Sequence, residues 1–284
     1  SAIESGEKAL LVTAQTGGGK TRMMIELILW ALRDKDWSSI IYSNRKMLVE
    51  QTSESLKESG VNHGVRAADW APNLLERVQI SSIQTERSRV YDSERWNLHP
   101  AKLVIVDEAH VNAADTAERI IRDHREHKAA IVGFTATPLG LAHLYDKLIV
   151  AGCPSELREC GALVPAIHYG PDEPDLKHIE NIKVGENGEF SESEVRKVFK
   201  IQKVFGRIVE WYNRLNPERR PGVLFAPGVK ESVWCAQEFC KAGIPAAHID
   251  GEDVWIDGAA RESDKDARDE LRERSRTGSL KVVC

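Results

Sequence analysis

Short apolar runs alternate with segments of helical periodicity in the first half of the chain. Ala9 to Ala14 is apolar and predicts a strand, and Thr21 to Arg33 spaces its apolar residues three and four positions apart, as in a helix. Ser39 to Tyr42 predicts a second strand, and the helical pattern after it continues to about Ser59. Strands that alternate with helices in this way build parallel sheets covered on both faces. The pattern therefore predicts a doubly wound α/β domain.

The alternation continues to about residue 169. Leu103 to Val106 consists of four consecutive apolar residues, which is typical of a strand buried on both faces. The other predicted strands are Val78–Thr85 and Ala130–Phe134, with an extended segment at Leu163–Tyr169. The predicted helices of this region are Asn112–Lys128, Leu139–Val150 and Ser155–Gly161.

A polar segment rich in turn-forming residues, from Gly170 to Gly188, predicts a domain boundary. We expect a first domain at residues 1–170, a linker at 171–190 and a second domain at 191–284. The length of 284 residues allows two domains that each bury a core of their own.

Predicted strands and helices alternate again in the second half of the chain. Ser191 to Glu194 resembles a capping box, which predicts the start of a helix that ends near Leu215. The strands predicted after it are Gly222–Ala226, Ala246–Ile249 and Leu280–Val283, and the helices are Lys230–Ala242 and Arg261–Arg276. The many charged residues between 251 and 278 favour a solvated helix after a surface loop.

Composition restricts the class of protein. The chain has no apolar run of the roughly 20 residues that a membrane span needs, so we expect no membrane partner. Five cysteines without a C-x-x-C pair indicate reduced thiols, a cytoplasmic protein and no cysteine metal site. The net charge of −5 argues against a broad basic surface that coats nucleic acid, although a basic groove stays possible.

A glycine-rich segment between the first strand and the first helix predicts a phosphate-binding loop. Glycines let several backbone N–H groups converge on one anion at the positive end of the helix. Ala14 stands where the strict pattern has glycine, and a simple glycine-rich turn is the alternative. We expect the nucleotide to be bound by Gln15, Thr16, Gly17, Gly18, Gly19, Lys20 and Thr21.

Two carboxylates follow the buried strand at 103–106, at the edge where an α/β sheet presents its ligands. With the phosphate-binding loop they predict a nucleoside triphosphate site, although solvated loop charge is the alternative. Lys20 is expected to neutralise the transferring phosphoryl group, and Thr21 and Asp107 to hold Mg²⁺. Glu108 is expected to orient and deprotonate the attacking water, so the catalytic residues are Lys20 and Glu108.

Three segments resemble motifs I, II and III of superfamily 2 helicases. They are Ala14–Thr21, Asp107–His110 and Thr135–Thr137, and in that superfamily alanine commonly replaces the first glycine of motif I. The likeness is closest to DEAH-containing helicases akin to the motor subunits of type III restriction enzymes and to bacterial DNA repair translocases. Weaker likenesses to motifs Ia, Ib and IV lie at Tyr42–Arg45 with Leu48–Gln51, at Gln79–Thr85, and at Val223–Ala226 with Ala247–Gly251.

The resemblance implies two RecA-like P-loop domains in tandem, each a mainly parallel sheet with helices on both faces. It implies an ATP-dependent helicase or translocase that uses ATP and Mg²⁺ and holds a nucleic-acid strand largely by its phosphates. The implied strand contacts in the first domain are Asn44, Arg45, Ser82, Gln84 and Thr85, and the implied coupling residues are His110, Thr135 and Thr137. DNA is favoured over RNA by family analogy alone.

Other interpretations remain open for some of these residues and for the function. Arg45 is equally well a solvated charge at a helix start, and Ser82 a residue that caps a turn. A nucleotide-gated binding module without productive movement is the main alternative function, and a P-loop ATPase that acts on proteins or small molecules is another. The helicase pattern expects motifs V and VI after Leu280–Val283, so we expect that the second domain is truncated or that its remainder is not in this chain. We also expect slow hydrolysis of bound ATP.

Overall fold

The chain divides into two units, Ser1–His168 and Tyr169–Cys284. The structure is a computed structural model that describes residues 3, 6, 8–110, 115–169 and 207–284. The predicted linker at 171–190 and the predicted capping box at Ser191 lie outside the described residues. The predicted domain boundaries therefore stay predictions.

A seven-stranded sheet forms the centre of the first unit, and all of its neighbouring strands are parallel. Their order is β3-β4-β2-β5-β6-β1-β7. The strands are β1 (Ala9–Thr13), β2 (Ser39–Ser43), β3 (Gly64–Arg66), β4 (Val78–Ser82), β5 (Leu103–Val106), β6 (Ala130–Thr135) and β7 (Lys147–Val150).

Helices cover both faces of this sheet. They are α1 (Lys20–Asp34), α2 (Lys46–Glu58), α3 (Ile83–Glu86), α4 (Asp115–Glu126) and α5 (Pro154–Glu159), with a π-helical segment at Arg87–Asp92. The side chains of β5 alternate between two cores: Ile105 packs in the core that contains Ile28 of α1, and Val104 packs in the one that contains Ile120 of α4. Burial on both faces is what four consecutive apolar residues predict, and the predicted α/β fold is confirmed.

Several elements of the first unit differ from the sequence prediction. The predicted strand at Val78–Thr85 ends at Ser82, whose hydroxyl caps α3 instead. The predicted helix at Leu139–Val150 is wrong, because its last four residues form β7 and pair in parallel with β1 at the sheet edge. Gly140, with φ of 73°, interrupts that region with a conformation that helices do not contain. The short strand β3 was not predicted at all.

Gly133 of β6 gives a stability test of this packing. A Cβ at this position would overlap the ring of Tyr145, which lies against the strand. We expect Gly133→Ala to lower the free energy of unfolding of the first unit by about 1–3 kcal/mol, because overpacking moves a buried ring. Urea unfolding measures it, with Gly251→Ala as a control, since a Cβ there meets no atom within 4 Å. An unchanged unfolding midpoint for Gly133→Ala would contradict the packing.

The second unit contains a five-stranded sheet in the order β11-β10-β9-β12-β8. Its strands are β8 (Gly222–Val223), β9 (Ala246–Ile249), β10 (Asp253–Ile256), β11 (Ala259–Glu262) and β12 (Val282–Val283). Its described helices are α6 (Ile208–Leu215), α7 (Val229–Lys241) and α8 (Lys265–Arg276). Strands β8, β12 and β9 are parallel, and β10 and β11 pair antiparallel at one edge.

The hairpin of β10 and β11 replaces the predicted start of a helix at Arg261. Asp257 and Gly258 both have positive φ, 52° and 85°, as a two-residue hairpin turn requires. Helix α8 begins only at Lys265, because the Asp264 carboxylate accepts a hydrogen bond of 2.7 Å from the backbone N–H of Ala267. Among the residues that the structure describes, every helix is too short or too polar to cross a membrane.

Candidate nucleotide-binding site

The loop between β1 and α1 has the backbone geometry of an anion-binding turn. Gly17 and Gly19 have φ of 80° and 83°, in the left-handed region that favours glycine. Gly18 donates its N–H to the Gln15 carbonyl at 2.9 Å, and a Cβ on Gly18 would lie only 2.9 Å from the same oxygen. Helix α1 starts at Lys20, so its first N–H groups face the loop. The predicted phosphate contacts therefore lie together at the positive end of a 15-residue helix.

The acidic pair lies at the carboxyl end of β5, between two strands that fix its backbone. Asp107 donates its N–H to the Tyr42 carbonyl and Ala109 to the Phe134 carbonyl, both at 2.9 Å. Glu108 has φ of 47°, an uncommon conformation for a non-glycine residue. Strained backbone of this kind occurs mainly where a side chain is held in a required direction.

The side chain of Glu108 points at the phosphate-binding loop. Its Oε1 lies 2.7 Å from Lys20 Nζ, and the two side chains are 29% and 11% exposed. The structure thus brings together a lysine at the start of α1 and a carboxylate that follows it by 88 positions. A triphosphate bound at the loop would place its terminal phosphate near both groups.

Asp107 is more deeply buried than its neighbour. Burial, and secondly the charge of Glu108, raise the pKa of Asp107, whereas Lys20 and the hydrogen bond from the Glu108 N–H (3.0 Å) act in the opposite direction. A buried carboxylate of this kind gains stability when a cation approaches it. Hard oxygen ligands such as the Asp107 carboxylate and the Thr21 hydroxyl suit Mg²⁺.

No cluster of three or more His, Cys, Asp or Glu side chains able to hold a metal occurs in the described part of the chain. Mg²⁺ is ordinarily held by one or two protein oxygens together with substrate phosphates rather than by a complete protein cage. The residues present therefore fit a magnesium ion that arrives with a nucleotide.

The end of β6 joins the loop to the acidic strand. Thr135 accepts the N–H of Ala14 on its carbonyl at 3.0 Å, and its hydroxyl accepts the N–H of Thr137 at 2.9 Å. His110 Nδ1 lies 2.8 Å from the same hydroxyl and 3.4 Å from Glu108 Oε2. All three predicted coupling residues thus form one connected group beside Glu108.

The five predicted strand-contact residues lie at the carboxyl ends of β2 and β4. The side-chain amide of Gln84 donates to the Asn44 carbonyl at 3.0 Å, which joins the two strand ends. Ser82 and Thr85 are buried and bond to each other, with 2.9 Å between their hydroxyl oxygens. Arg45 is exposed at the position before α2. The groups that face solvent here are therefore those of Arg45 and Gln84 rather than the two hydroxyls.

Sequence reasoning missed two features of this region. Leu157 and Leu163, after β7, pack against the loop, and a Cβ on Gly17 would lie 3.2 Å from Leu163 Cδ2. The buried pair of Arg66 and Glu86 lies behind the strand-contact residues. Arg66 lies on a strand that was not predicted, and Glu86 lies just after a predicted one. No sequence motif links the two residues, because only the fold brings them together.

The chain is similar to several known proteins. The family model for the type III restriction enzyme res subunit matches residues 1–140. A 51.5 kDa protein of a Lactococcus phage is 26% identical over 96% of this chain and 54% of its own length. The Schizosaccharomyces pombe protein irc3, named as a mitochondrial ATP-dependent helicase, is 24% identical over 88% of this chain and 43% of its own length. This chain therefore spans about half the length of these relatives.

A solved structure shows the same fold. The helicase Lhr of Mycobacterium smegmatis, bound to single-stranded DNA and AMP-PNP, superimposes with a TM-score of 0.54 and 18% identity, over 99% of this chain and 38% of that one. Together with the sequence relatives, this confirms the resemblance and the RecA-like α/β fold. Residues 1–140 match the restriction subunit family, and the chain is similar to proteins named as ATP-dependent helicases.

Proposed function

We propose that the protein hydrolyses ATP and couples hydrolysis to movement along nucleic acid, or to its unwinding, with DNA favoured over RNA. The observation that carries the proposal is the 2.7 Å contact between Lys20 and Glu108, because it places the acidic strand end directly on the phosphate-binding loop. The names of the relatives support the same class of activity.

Lys20 and Glu108 have complementary roles in the proposed mechanism. Bound ATP and Mg²⁺ supply the transferred phosphoryl group and part of the charge that neutralises it. Lys20 exchanges its contact with Glu108 for phosphate oxygens, and Glu108 then orients a water molecule and accepts its proton. Thr21 and Asp107 are the residues that would hold Mg²⁺.

The group formed by His110, Thr135 and Thr137 is well placed to report the state of the nucleotide. Thr135 bonds to the residue that opens the phosphate-binding loop, and His110 lies beside Glu108. A change at the terminal phosphate would therefore alter the end of β6 as well as the loop. We assign these residues a coupling role rather than a direct contact with substrate.

An ATPase assay with and without nucleic acid tests the proposal. A motor is expected to hydrolyse ATP faster when single-stranded DNA or RNA is added, and comparison of the two substrates tests the preference for DNA. Nucleotide-dependent binding of nucleic acid without stimulated hydrolysis would favour a nucleotide-gated binding module, the second candidate function. An ATPase rate that neither DNA nor RNA changes, without nucleotide-dependent binding of either, would contradict any action on nucleic acid.

The double substitution Arg45→Ala with Gln84→Ala tests the proposed strand contacts. We expect affinity for a single-stranded oligonucleotide to fall about tenfold or more, because backbone contacts contribute a kilocalorie or so each. The slope of log affinity against log salt should shrink by about one, since one cation is lost. Fluorescence anisotropy at several salt concentrations measures both quantities.

Lys57→Ala is the matched control for this double substitution. It removes one positive charge from the last turn of α2, whereas Arg45 lies just before the first turn of the same helix. The control should bind like the unaltered chain. Equal affinities for the double substitution and the control would rule out this edge of the sheet as the contact surface.

A further inference from the structure

A buried ion pair lies directly behind the proposed strand contacts. Glu86, the last residue of α3, is 0% exposed, and Arg66 of β3 is 2% exposed. Arg66 donates from Nε to Glu86 Oε2 at 3.0 Å and from Nη2 to Oε1 at 2.9 Å. This two-pronged geometry fixes the direction of the carboxylate as well as its position.

Arg66 is itself held from two further sides. Its Nη2 also donates to the Asn97 carbonyl at 2.9 Å. Its guanidinium group lies over the ring of Trp96, 5.0 Å from the ring centroid. Because the arginine has little freedom of its own, it provides a fixed anchor for Glu86.

Other strands supply additional donors to Glu86. The Ser81 hydroxyl, on β4, donates to Oε2 at 2.7 Å, and the Tyr42 hydroxyl, on β2, lies 3.5 Å from Oε1. Tyr42 also lies 2.9 Å from Nε2 of His124 on α4. The carboxylate thereby connects α3 to strands β2, β3 and β4 and, through Tyr42, to α4.

Helix α3 has four residues and runs directly into the π-helical segment at Arg87–Asp92, so Glu86 lies at the junction of the two. The Ser82 cap fixes the start of α3, and the Glu86 carboxylate fixes this junction to β4 and β3. Gln84, between these two points, is exposed and reaches the Asn44 carbonyl. The direction of Gln84 therefore depends on the anchoring of Glu86.

Stability alone is a weak reason for this arrangement. Taking two charges out of water is costly, and apolar side chains of similar volume often replace a buried ion pair without loss of stability. The pair does give a defined orientation, which apolar contacts would specify less sharply. A segment that must present a polar side chain to a ligand benefits from that property.

We infer that Arg66 and Glu86 are positioning residues that hold α3, and with it Gln84, in the orientation that contacts nucleic acid. The inference rests on the proposed function, because it concerns the same binding surface. Neither residue touches the nucleic acid itself, since both are buried.

The double substitution Arg66→Met with Glu86→Leu tests this role, because it removes both charges and keeps the volume apolar. We expect the protein to fold, to bind a fluorescent ATP analogue like the unaltered chain, and to bind a labelled single-stranded oligonucleotide about tenfold more weakly. The substitution of Arg77→Met with Asp36→Asn is the matched control, since it removes an exposed ion pair of the first unit and should change neither affinity.

A double-mutant cycle is completed by introducing Gln84→Ala both into the unaltered chain and into the variant that carries Arg66→Met with Glu86→Leu. If the pair acts through Gln84, this substitution weakens nucleic-acid binding in the unaltered chain and adds little to the double substitution. A merely structural role predicts that the two losses simply multiply. Ser81→Ala can replace the double substitution in this cycle, because it removes one donor to Glu86 and leaves the ion pair in place. The test therefore also holds if the double substitution does not fold.

The possible failures are distinguishable. Unchanged oligonucleotide affinity in the double substitution, or a full additional loss on Gln84→Ala, overturns the positioning role alone. Absence of oligonucleotide binding by the unaltered chain, with and without nucleotide, overturns the proposed function and this inference together.

Discussion

Glu108→Gln is expected to lower the rate of ATP hydrolysis by about 10²–10⁴-fold while nucleotide stays bound, since general bases typically contribute this much. The amide has nearly the shape of the carboxylate but cannot accept a proton from the attacking water. The substitution also removes the charge that lies 2.7 Å from Lys20 Nζ in the structure. Lys20 then meets the phosphates without first breaking an ion pair, so nucleotide affinity should be unchanged or higher.

Two measurements separate these effects. Single-turnover hydrolysis in the presence of single-stranded DNA gives the chemical step, and titration with a fluorescent ATP analogue gives the affinity. Glu118→Gln is the matched control, because this glutamate lies on α4 beside His143 rather than at the phosphate-binding loop. A turnover rate within about twofold of the unaltered chain would remove Glu108 from the role of general base, where losses of 10²-fold or more are usual.

The buried parallel strands were predictable from the sequence, because both of their faces must be apolar. Strand β9 has the bounds that its pattern predicts, and β5 and β6 differ from theirs by at most one residue. The same logic predicted the approach of Lys20 and Glu108. The carboxyl ends of parallel strands meet at one edge, so a loop after β1 and a carboxylate after β5 lie close together.

Elements that depend on partners distant in the chain were not predictable. Strand β7 has a helix-like periodicity, and only its pairing with β1 makes it a strand. The hairpin at β10 and β11 did carry a local signal, the Asp257–Gly258 pair between two short extended runs, but the surrounding charge favoured a loop and a helix.

The strand-contact candidates illustrate the same limit at the level of side chains. Ser82 and Thr85 lie three residues apart, a spacing that permits a helix cap, and the structure shows that they bond to each other. Residue type alone cannot distinguish a hydroxyl that is available to a ligand from one already satisfied. Arg66 and Glu86 are a stronger case, because charged residues are predicted to be exposed and these two are fully enclosed.

Acid is expected to destabilise the first unit through His124. Burial, followed by the nearby charges of His99, His127 and Arg66, lowers the pKa of His124 to about 3. The unfolded chain, with an ordinary pKa near 6.5, therefore binds a proton first as the pH falls. The stability present above pH 6.5 is lost progressively below it, by about 2 kcal/mol at pH 5 from this residue alone.

His124→Gln is expected to remove this part of the pH dependence, because the amide does not titrate and can still bond to the Tyr42 hydroxyl. Urea unfolding at pH 7.5, 6.5, 5.5 and 4.5 gives the free energy of unfolding for each variant. Burial also lowers the pKa of His99. His99 therefore lowers the stability of both proteins in acid, and its contribution cancels from the difference between their free energies of unfolding. His168→Gln, at an exposed position after α5, is the matched control and should retain the full acid sensitivity. Parallel stability curves for the His124→Gln variant and the unaltered chain would mean that His124 becomes protonated without unfolding the first unit.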